Sequence, residues 1–364
     1  MITHNNHVIS NIYYMLSYAF RVLKQDDYRE IGTESFENIQ NLFAAILSKG
    51  IAIQIKQGLY REYVELEDEL STLRGKLNII PSIRLKVQHK QKLNCTHDEY
   101  SENNIFNQIL KATIYHLIRH SDVKNEYKLL LKSQLLFFKN IEDCNINSIN
   151  WQRLRFQKNN ESYKMLINIC YFVLVGLLQT DGQGKYKMAT FLLEKEMHRL
   201  YERFILEYYR YHYIDIMSAN AKQVAWATEE DSVIDFLPKM QTDIMLEREN
   251  KKLIIDAKYY AKNTTSTQYE KETLRSAHLY QIFAYVQNED RHNTGNVSGV
   301  LLYAKTIEDT LFEPKTYKIK GNTIAIRTLD LSLPFGQGGE VGESIRNQLD
   351  SIAKEFFKVE PTRK

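Results

Sequence analysis

Two carboxylates and a lysine are placed to do chemistry on one short stretch of this chain. Leu237-Pro-Lys-Met-Gln-Thr-Asp243 leads into an apolar run ending at Glu247, and Leu253-Ile-Ile-Asp256-Ala-Lys258-Tyr-Tyr260 follows a polar turn. Strands over 243–247 and 252–260, joined by a two-residue turn at Glu249-Asn250, set Arg248 opposite Lys251. Counting outward then sets Asp243 opposite Asp256. Directly opposed residues hold their Cβ atoms about 4.5–5.5 Å apart, where like charges repel. Leu253, Ile254 and Ile255 also keep water from the carboxylates, which makes ionising both more costly. A divalent cation between them removes both penalties. Side chains alternate along a strand, so Asp256 and Lys258 share a face and Ala257 leaves it. This set suits Mg²⁺, with positions left open for phosphate and water. Lys258 is then able to orient or deprotonate the attacking water, or to stabilise charge on phosphate. The same pattern also fits a hairpin with ordinary solvated charges. Against that, Asp256 follows Leu-Ile-Ile directly, and Thr242-Asp243 follows a proline-containing loop, where a strand would begin.

Periodicity shows the elements that must position this pair. Thr273–Gln287 has helical spacing. His278, Gln281 and Tyr285 lie three and four apart on a polar stripe, with Leu279, Ile282, Phe283 and Val286 on the opposing side, toward a sheet. The stripe either faces the carboxylates or is an exposed helix face. Phe191–Tyr211 reads as a long amphipathic helix with Leu193, Met197, Leu200 and Phe204 on one face. Gln223–Ala227 and Gly299–Ala304 read as strands. This helix–strands–helix–strand order predicts an α/β layer with a mixed sheet.

Upstream, residues 9–23 carry Ile12, Met15, Ala19 and Val22 on one helical stripe, and a second helix is expected over Phe36–Leu47. From Ile51 to Val87 the runs IAIQI, YREYVELE, LNII and SIRLKV suggest a small antiparallel sheet with Gly58 and Gly75 at its turns. Helical spacing returns at 104–118, 129–138 and 163–178. The polar segment Asp181–Lys187, with two glycines, is the expected boundary between domains 1–185 and 186–364. Arg84, Lys86, Lys90 and Lys92 fall on one face of a strand there, either for DNA phosphate or an acidic partner, or simply solvated.

Composition excludes several classes. Apolar residues make up 43% and charged residues 26%, which excludes a disordered chain. A net charge of +3 permits nucleic acid without demanding it. Cys95, Cys144 and Cys170 form no C-x-x-C, so neither a zinc knuckle nor a disulfide framework is indicated, and a reducing cytoplasmic setting is expected. Met165–Leu178 contains Asn168 and falls short of the about 20 residues a bilayer span needs, so it reads as a buried helix, and no membrane partner is expected. Met1–His7 has no apolar leader. No G-x-x-x-x-G-K-[ST], H-E-x-x-H or G-x-S-x-G occurs, so nucleotide hydrolysis, metalloprotease and serine-hydrolase chemistry have no support. Gly336-x-Gly-Gly-x-x-Gly342 lacks the second strand and ribose-binding acid of a dinucleotide site.

Asp243, Asp256-Ala-Lys258 and Gln281-x-x-x-Tyr285 together resemble the PD-(D/E)xK nuclease pattern, and the Q-x-x-x-Y helix is similar to that of its RecB-like branch. Further motifs resemble the McrC family, the nuclease subunits of McrBC modification-dependent restriction systems. They are Asn11-Ile-Tyr-Tyr-Met-Leu-Ser-Tyr-Ala19, Leu73-Arg-Gly-Lys-Leu77, Asn104–Leu110, Glu194-Lys-Glu-Met197, Leu237-Pro-x-Met-x-Thr-Asp243 and Ile255-Asp-Ala-Lys-Tyr-Tyr260. The resemblance spans nearly the whole chain. It implies an α/β fold, α+β overall: a C-terminal nuclease core whose mixed sheet is flanked by helices, preceded by a partner-docking domain of helices and a small sheet.

For the site, the resemblance implies Asp243 and Asp256 as Mg²⁺ ligands, Lys258 as the catalytic lysine, and Gln281 and Tyr285 as supporting residues. An acid on the first helix of the core, Glu196 or Glu202, remains open; six apart, they do not share a helix face. Asp256 stands where Glu is commoner, which shortens the reach to the metal by one methylene. The implied partner is an AAA+ hexameric ring of the McrB type, which binds and hydrolyses GTP, moves on DNA and reads methylcytosine. The loop Gln157–Glu161, with Lys158 reaching toward a nucleotide site in trans, is a candidate contact or a solvated loop. The implied activity is Mg²⁺-dependent cleavage of double-stranded DNA, with two copies meeting on one duplex. A non-catalytic assembly subunit and a stand-alone RecB-like repair nuclease are the alternatives.

Overall fold

The computed structural model of the chain describes residues 6–20, 31, 34, 36–157, 160–177, 183–229, 235–259, 265–266, 272–273, 276–305, 313–336 and 343–362. Its first helix, α1 (Asn6–Phe20), is buried on nearly every side, through Ile9, Ile12, Tyr13, Met15, Leu16 and Ala19. A helix that is apolar all round belongs inside a core. Asn11 is buried with it, and its Nδ2 donates to the carbonyls of Leu331 and Leu333 at 2.9 and 2.8 Å. The chain accordingly packs as two units: Phe43–Leu174, and Met1–Leu42 together with Val175–Lys364. This differs from the expected division at 185, because α1 is far from the C-terminal core in sequence yet forms part of it. The expected boundary segment is helical from Gln183 onward, and Asp181 and Gly182 lie outside the described residues.

The unit Phe43–Leu174 contains, in order, α2 (Ile39–Gln57, which begins just before it), β1 (Glu62–Leu70), β2 (Lys76–Leu77), α3 (Ile79–Val87), β3 (Leu93–Ser101), α4 (Ile105–Arg119), α5 (Asn125–Gln134) and α6 (Glu161–Leu177, which runs just past it). A small antiparallel sheet is present, in the order β1-β3-β2, but partly from other residues than expected. Ile51–Ile55 continue α2, because Leu47, Ile51 and Gln54 are buried at helical spacing. Ser82–Val87 form α3, with only Ser82 and Leu85 buried. Pro81 is tolerated there because the first helical turn needs no backbone donor. The basic strand face is therefore absent: Arg84 and Lys86 lie on α3, and Lys90 and Lys92 in the loop after it. The strand that pairs with β1 is instead Leu93–Ser101. Tyr163 ties this unit internally: its hydroxyl donates to Asn107 Oδ1 at 2.9 Å and accepts from the Tyr60 N–H at 2.8 Å. Cys95, Cys144 and Cys170 are free thiols. Among the described residues no helix is long and apolar enough to cross a membrane; Met165–Leu177 belong to α6. Lys158 lies outside the described residues.

The C-terminal unit continues with α7 (Gln183–His212), β4 (Ser218–Asn220), β5 (Gln223–Val224), β6 (Met240–Gln241), β7 (Ile244–Arg248), β8 (Lys251–Lys258), β9 (Thr265–Ser266), β10 (Glu272–Thr273), α8 (Ser276–Glu289), β11 (Val297–Lys305), β12 (Lys315–Ile319), β13 (Asn322–Asp330) and α9 (Ile345–Phe357). A six-stranded sheet runs β12-β13-β11-β8-β7-β4. β8, β11 and β13 are parallel, and β7 and β4 are added antiparallel, which makes the sheet mixed, as expected. Parallel strands need a crossover, and α8 supplies it between β8 and β11. Ile282, Tyr285 and Val286 of α8 join Ile254, Leu301, Tyr303, Ile324 and Ile326 in one apolar cluster. Leu253, Ile255 and Ala257 alternate with that face and are equally buried, as a strand covered on both sides must be.

Close packing of α8 depends on Gly299. A Cβ there would stand 2.7 Å from Ile282 Cγ1 and 2.8 Å from Val286 Cγ2. Gly299→Ala is therefore expected to lower stability by about 1–3 kcal/mol through overpacking, read as a lower midpoint in urea unfolding. An unchanged midpoint would show that α8 can move off the sheet freely.

Candidate active site

The β7–β8 turn sets the register from which the site follows. Arg248 pairs with Lys251 and Ile244 with Ile255, so one further step brings Asp243 opposite Asp256. Glu249 in the turn takes a positive φ of 52°, the backbone twist a two-residue hairpin needs. Asp256 and Lys258 sit at the C-terminal end of β8, 1% and 5% exposed. In open α/β sheets, that end of the strands is where ligands bind. The Ala257 N–H donates to Asp243 Oδ2 at 2.9 Å, which holds the first carboxylate beside the second strand.

A run of polar contacts extends from Asp256 to the backbone of β6. Lys258 Nζ stands 2.8 Å from Asp256 Oδ2 and donates to Gln281 Oε1 at 3.2 Å. Gln281 Nε2 donates to the Tyr285 hydroxyl at 3.0 Å, and that hydroxyl donates to the Gln241 carbonyl at 3.0 Å. An ammonium has only donors, so the amide must turn its oxygen to Lys258 and its nitrogen to the phenol. The structure thus joins all five sequence-derived positions, Asp243, Asp256, Lys258, Gln281 and Tyr285. The stripe is not an exposed helix face, because Tyr285 and His278 are buried with Ile282 and Val286. His278 Nδ1 pairs instead with the Tyr303 hydroxyl at 2.9 Å.

The two acids of α7 separate clearly. Glu196 is paired with Arg199 at 2.7 Å. Glu202 is near enough for its charge to disfavour ionisation of both Asp243 and Asp256. It is paired with His198, whose Nε2 lies 2.9 Å from Glu202 Oε1. His198 Nδ1 accepts from the Tyr259 N–H at 3.2 Å. Sequence reasoning passed over His198; its one signal is the i, i+4 spacing to Glu202.

Burial, then the charges of Glu202 and Asp256, push the Asp243 carboxyl up to about 7, against Lys258 and the Ala257 N–H. Burial also raises Asp256 above the ordinary carboxylate range, although Lys258 opposes it. Burial raises the Tyr285 hydroxyl, which keeps it a neutral donor. Three acids with one lysine are short of positive charge. Among the described residues no hydrogen-bond donor reaches the buried Asp256 Oδ1, and a bound cation would satisfy that oxygen. Among the described residues no three His, Cys, Asp or Glu side chains close on one point as a complete metal cage. Mg²⁺ does not require one: it is usually held by one or two carboxylates and completes its shell with water and substrate phosphate. Asp243 and Asp256 fit that demand.

Comparison with known proteins places this site in context. Residues 3–304 match the family model of the McrBC 5-methylcytosine restriction system component. The chain is 28% identical, over 355 residues, to the type IV methyl-directed restriction enzyme EcoKMcrBC of Escherichia coli strain K12, covering 96% of this chain and 98% of that one. Among solved structures it is similar to the half-complex of Thermococcus gammatolerans McrB AAA+ hexamers with bound McrC, at 19% identity and a TM-score of 0.48, covering 95% of this chain and 76% of that one. A second, the T. gammatolerans McrBC complex, matches at 23% identity and a TM-score of 0.38, over 56% of this chain and 58% of that one. The family match spans most of the sequence, from α1 through the carboxylate site to β11, and the chain belongs to the McrBC 5-methylcytosine restriction system component family.

Proposed function

We propose that this chain is the DNA-cleaving subunit of a modification-dependent restriction complex, a Mg²⁺-dependent endonuclease of the PD-(D/E)xK type that acts with an AAA+ GTPase of the McrB type. The observation that carries this reading is a buried carboxylate, Asp256, 2.8 Å from the Lys258 ammonium, with the half-buried Asp243 bonded to the intervening Ala257 N–H, at the C-terminal end of a central strand, in a member of this family. Asp243 and Asp256 would hold Mg²⁺, which when bound supplies positive charge to the phosphate oxygens during in-line displacement. Lys258 presents its ammonium on the same face, oriented by Gln281, where it stabilises charge developing on the phosphate. Burial of Asp256 and Lys258 keeps water from weakening these interactions. The chain has no phosphate-cradling G-x-x-x-x-G-K-[ST], so GTP hydrolysis falls to the partner. Cutting both strands of a duplex needs two such sites, hence two copies of this chain.

The test is plasmid cleavage by the chain together with its AAA+ partner, Mg²⁺ and GTP, on methylated and unmethylated DNA. Cleavage of methylated DNA only, dependent on GTP and absent in Asp256→Asn, is expected. Cleavage that persists in Asp256→Asn overturns the site. An assembled complex that cuts neither plasmid overturns the nuclease reading in favour of an assembly subunit.

A further inference from the structure

On the nuclease reading above, we infer that His198 is a positioning residue of the site, clamping the end of β8 to α7 and holding the Glu202 carboxylate toward Asp243 and Asp256. Tyr259 is the first residue after β8 and the neighbour of Lys258. Its N–H has left the sheet ladder and donates to His198 Nδ1 at 3.2 Å. A nitrogen that accepts must carry its lone pair, so the ring proton of neutral His198 sits on Nε2. Nε2 then donates to Glu202 Oε1 at 2.9 Å, one helical turn along α7. These two bonds of one imidazole have separate consequences. The first fixes the backbone beside Lys258. The second fixes the rotamer of the acid whose charge acts on both aspartates. The ring of Tyr201, two turns before Tyr208 on the buried side of α7, lies 6.0 Å from that of Tyr259, so the strand end is also gripped by packing. A direct metal-ligand role would need a lone pair aimed at the cation. Nδ1 spends its lone pair on Tyr259 and Nε2 carries the proton, so His198 acts through Glu202 and β8.

The full chain is titrated with Mn²⁺ as the probe metal, by calorimetry and by the spin resonance of free Mn²⁺. Wild type is compared with His198→Ala, Glu202→Gln, the double variant and Asp256→Asn. His198→Ala is expected to weaken Mn²⁺ binding roughly 10- to 100-fold, as loss of a ligand-orienting bond does, with its melting temperature recording whether the fold is kept. Glu202→Gln should weaken binding comparably, and the double variant no more than the weaker single one. Should His198→Ala fail to fold, His198→Asn replaces it, since it retains an acceptor for the Tyr259 N–H while losing the donor to Glu202; the same weakening is expected. Wild-type affinity in a folded His198 variant overturns the inference. So do losses that multiply in the double variant, which would mean that His198 acts independently of Glu202. If Asp256→Asn binds Mn²⁺ as tightly as wild type, the nuclease site itself falls and the inference with it.

Discussion

Asp256→Asn is expected to lower DNA cleavage by about 10³-fold or more, equivalent to about 4 kcal/mol of transition-state stabilisation, without lowering the melting temperature. Few buried charged residues combine those outcomes. Removing one member of a buried ion pair usually destabilises strongly, because the other is left uncompensated. Here the ammonium of Lys258 keeps other partners: Gln281 accepts from it at 3.2 Å, and Asp243 remains within range of its charge. Asp256 itself is 1% exposed, and among the described residues no donor reaches its Oδ1. Burial raises its pKa in spite of Lys258, so its ionised form is a net burden on the folded chain without a cation. Asparagine matches its shape and removes that burden. What it cannot do is hold Mg²⁺ as an anion. Cleavage of methylated plasmid and thermal melting, measured on the same preparation, check the pair of outcomes. A melting temperature lowered by many degrees would show that Asp256 is a structural ion-pair residue rather than a site for a cation.

The second large effect is on stability against pH. The Asp243 carboxyl ionises near 3.8 in the unfolded chain and is pushed up to about 7 in the folded one. Between those values the folded state binds more protons than the unfolded state, so stability falls as pH rises through that window and levels off above it. This is opposite in sign to a salt-bridged aspartate, whose lowered pKa adds stability as pH rises. The loss attributable to Asp243 is roughly 2–4 kcal/mol by pH 8. Asp243→Asn should flatten that part of the profile, so the difference between wild type and variant isolates it from every other titrating group. Mg²⁺ favours the ionised carboxylates and stabilises the state that binds it. It should therefore raise the melting temperature of wild type much more at pH 8 than at pH 5, and leave Asp243→Asn nearly unchanged. Urea unfolding at pH 5 and pH 8 in chelator, then in millimolar Mg²⁺, reads both effects. Identical pH profiles for wild type and variant would remove the physical basis for a cation between the two aspartates.

Local rules reach some parts of this site and stop short of others. The opposition of Asp243 and Asp256 was legible because a two-residue turn sets the pairing of a whole hairpin, and a strand has a side-chain period of two. The same period placed Lys258 with Asp256. The runs at 51–55 and 82–87 read as strands because short apolar runs fit a period of two or of 3.6 equally well. Burial of Leu47, Ile51 and Gln54 along α2, and of Ser82 and Leu85 along α3, settled them as helical.

The hairpin, its register, the shared face of Asp256 and Lys258, and the spacing that lets Gln281 reach Tyr285 all follow from bonds between near neighbours, and so were readable in the residues alone. The remaining features arise from packing between distant segments. Packing turned Tyr285 and His278 inward, because Gly299 lets α8 settle on β11 at Ile282 and Val286. It chose Glu202 over Glu196, because the rotation of α7 is set by the burial of Met197, Leu200, Tyr201, Phe204 and Ile205, not by the spacing of its acids. It brought His198 to the end of β8, and α1 into a core that begins again at Val175. Which side of a helix faces inward, and which distant segment covers it, depends on apolar surface summed over many residues, and no short window of sequence contains that sum.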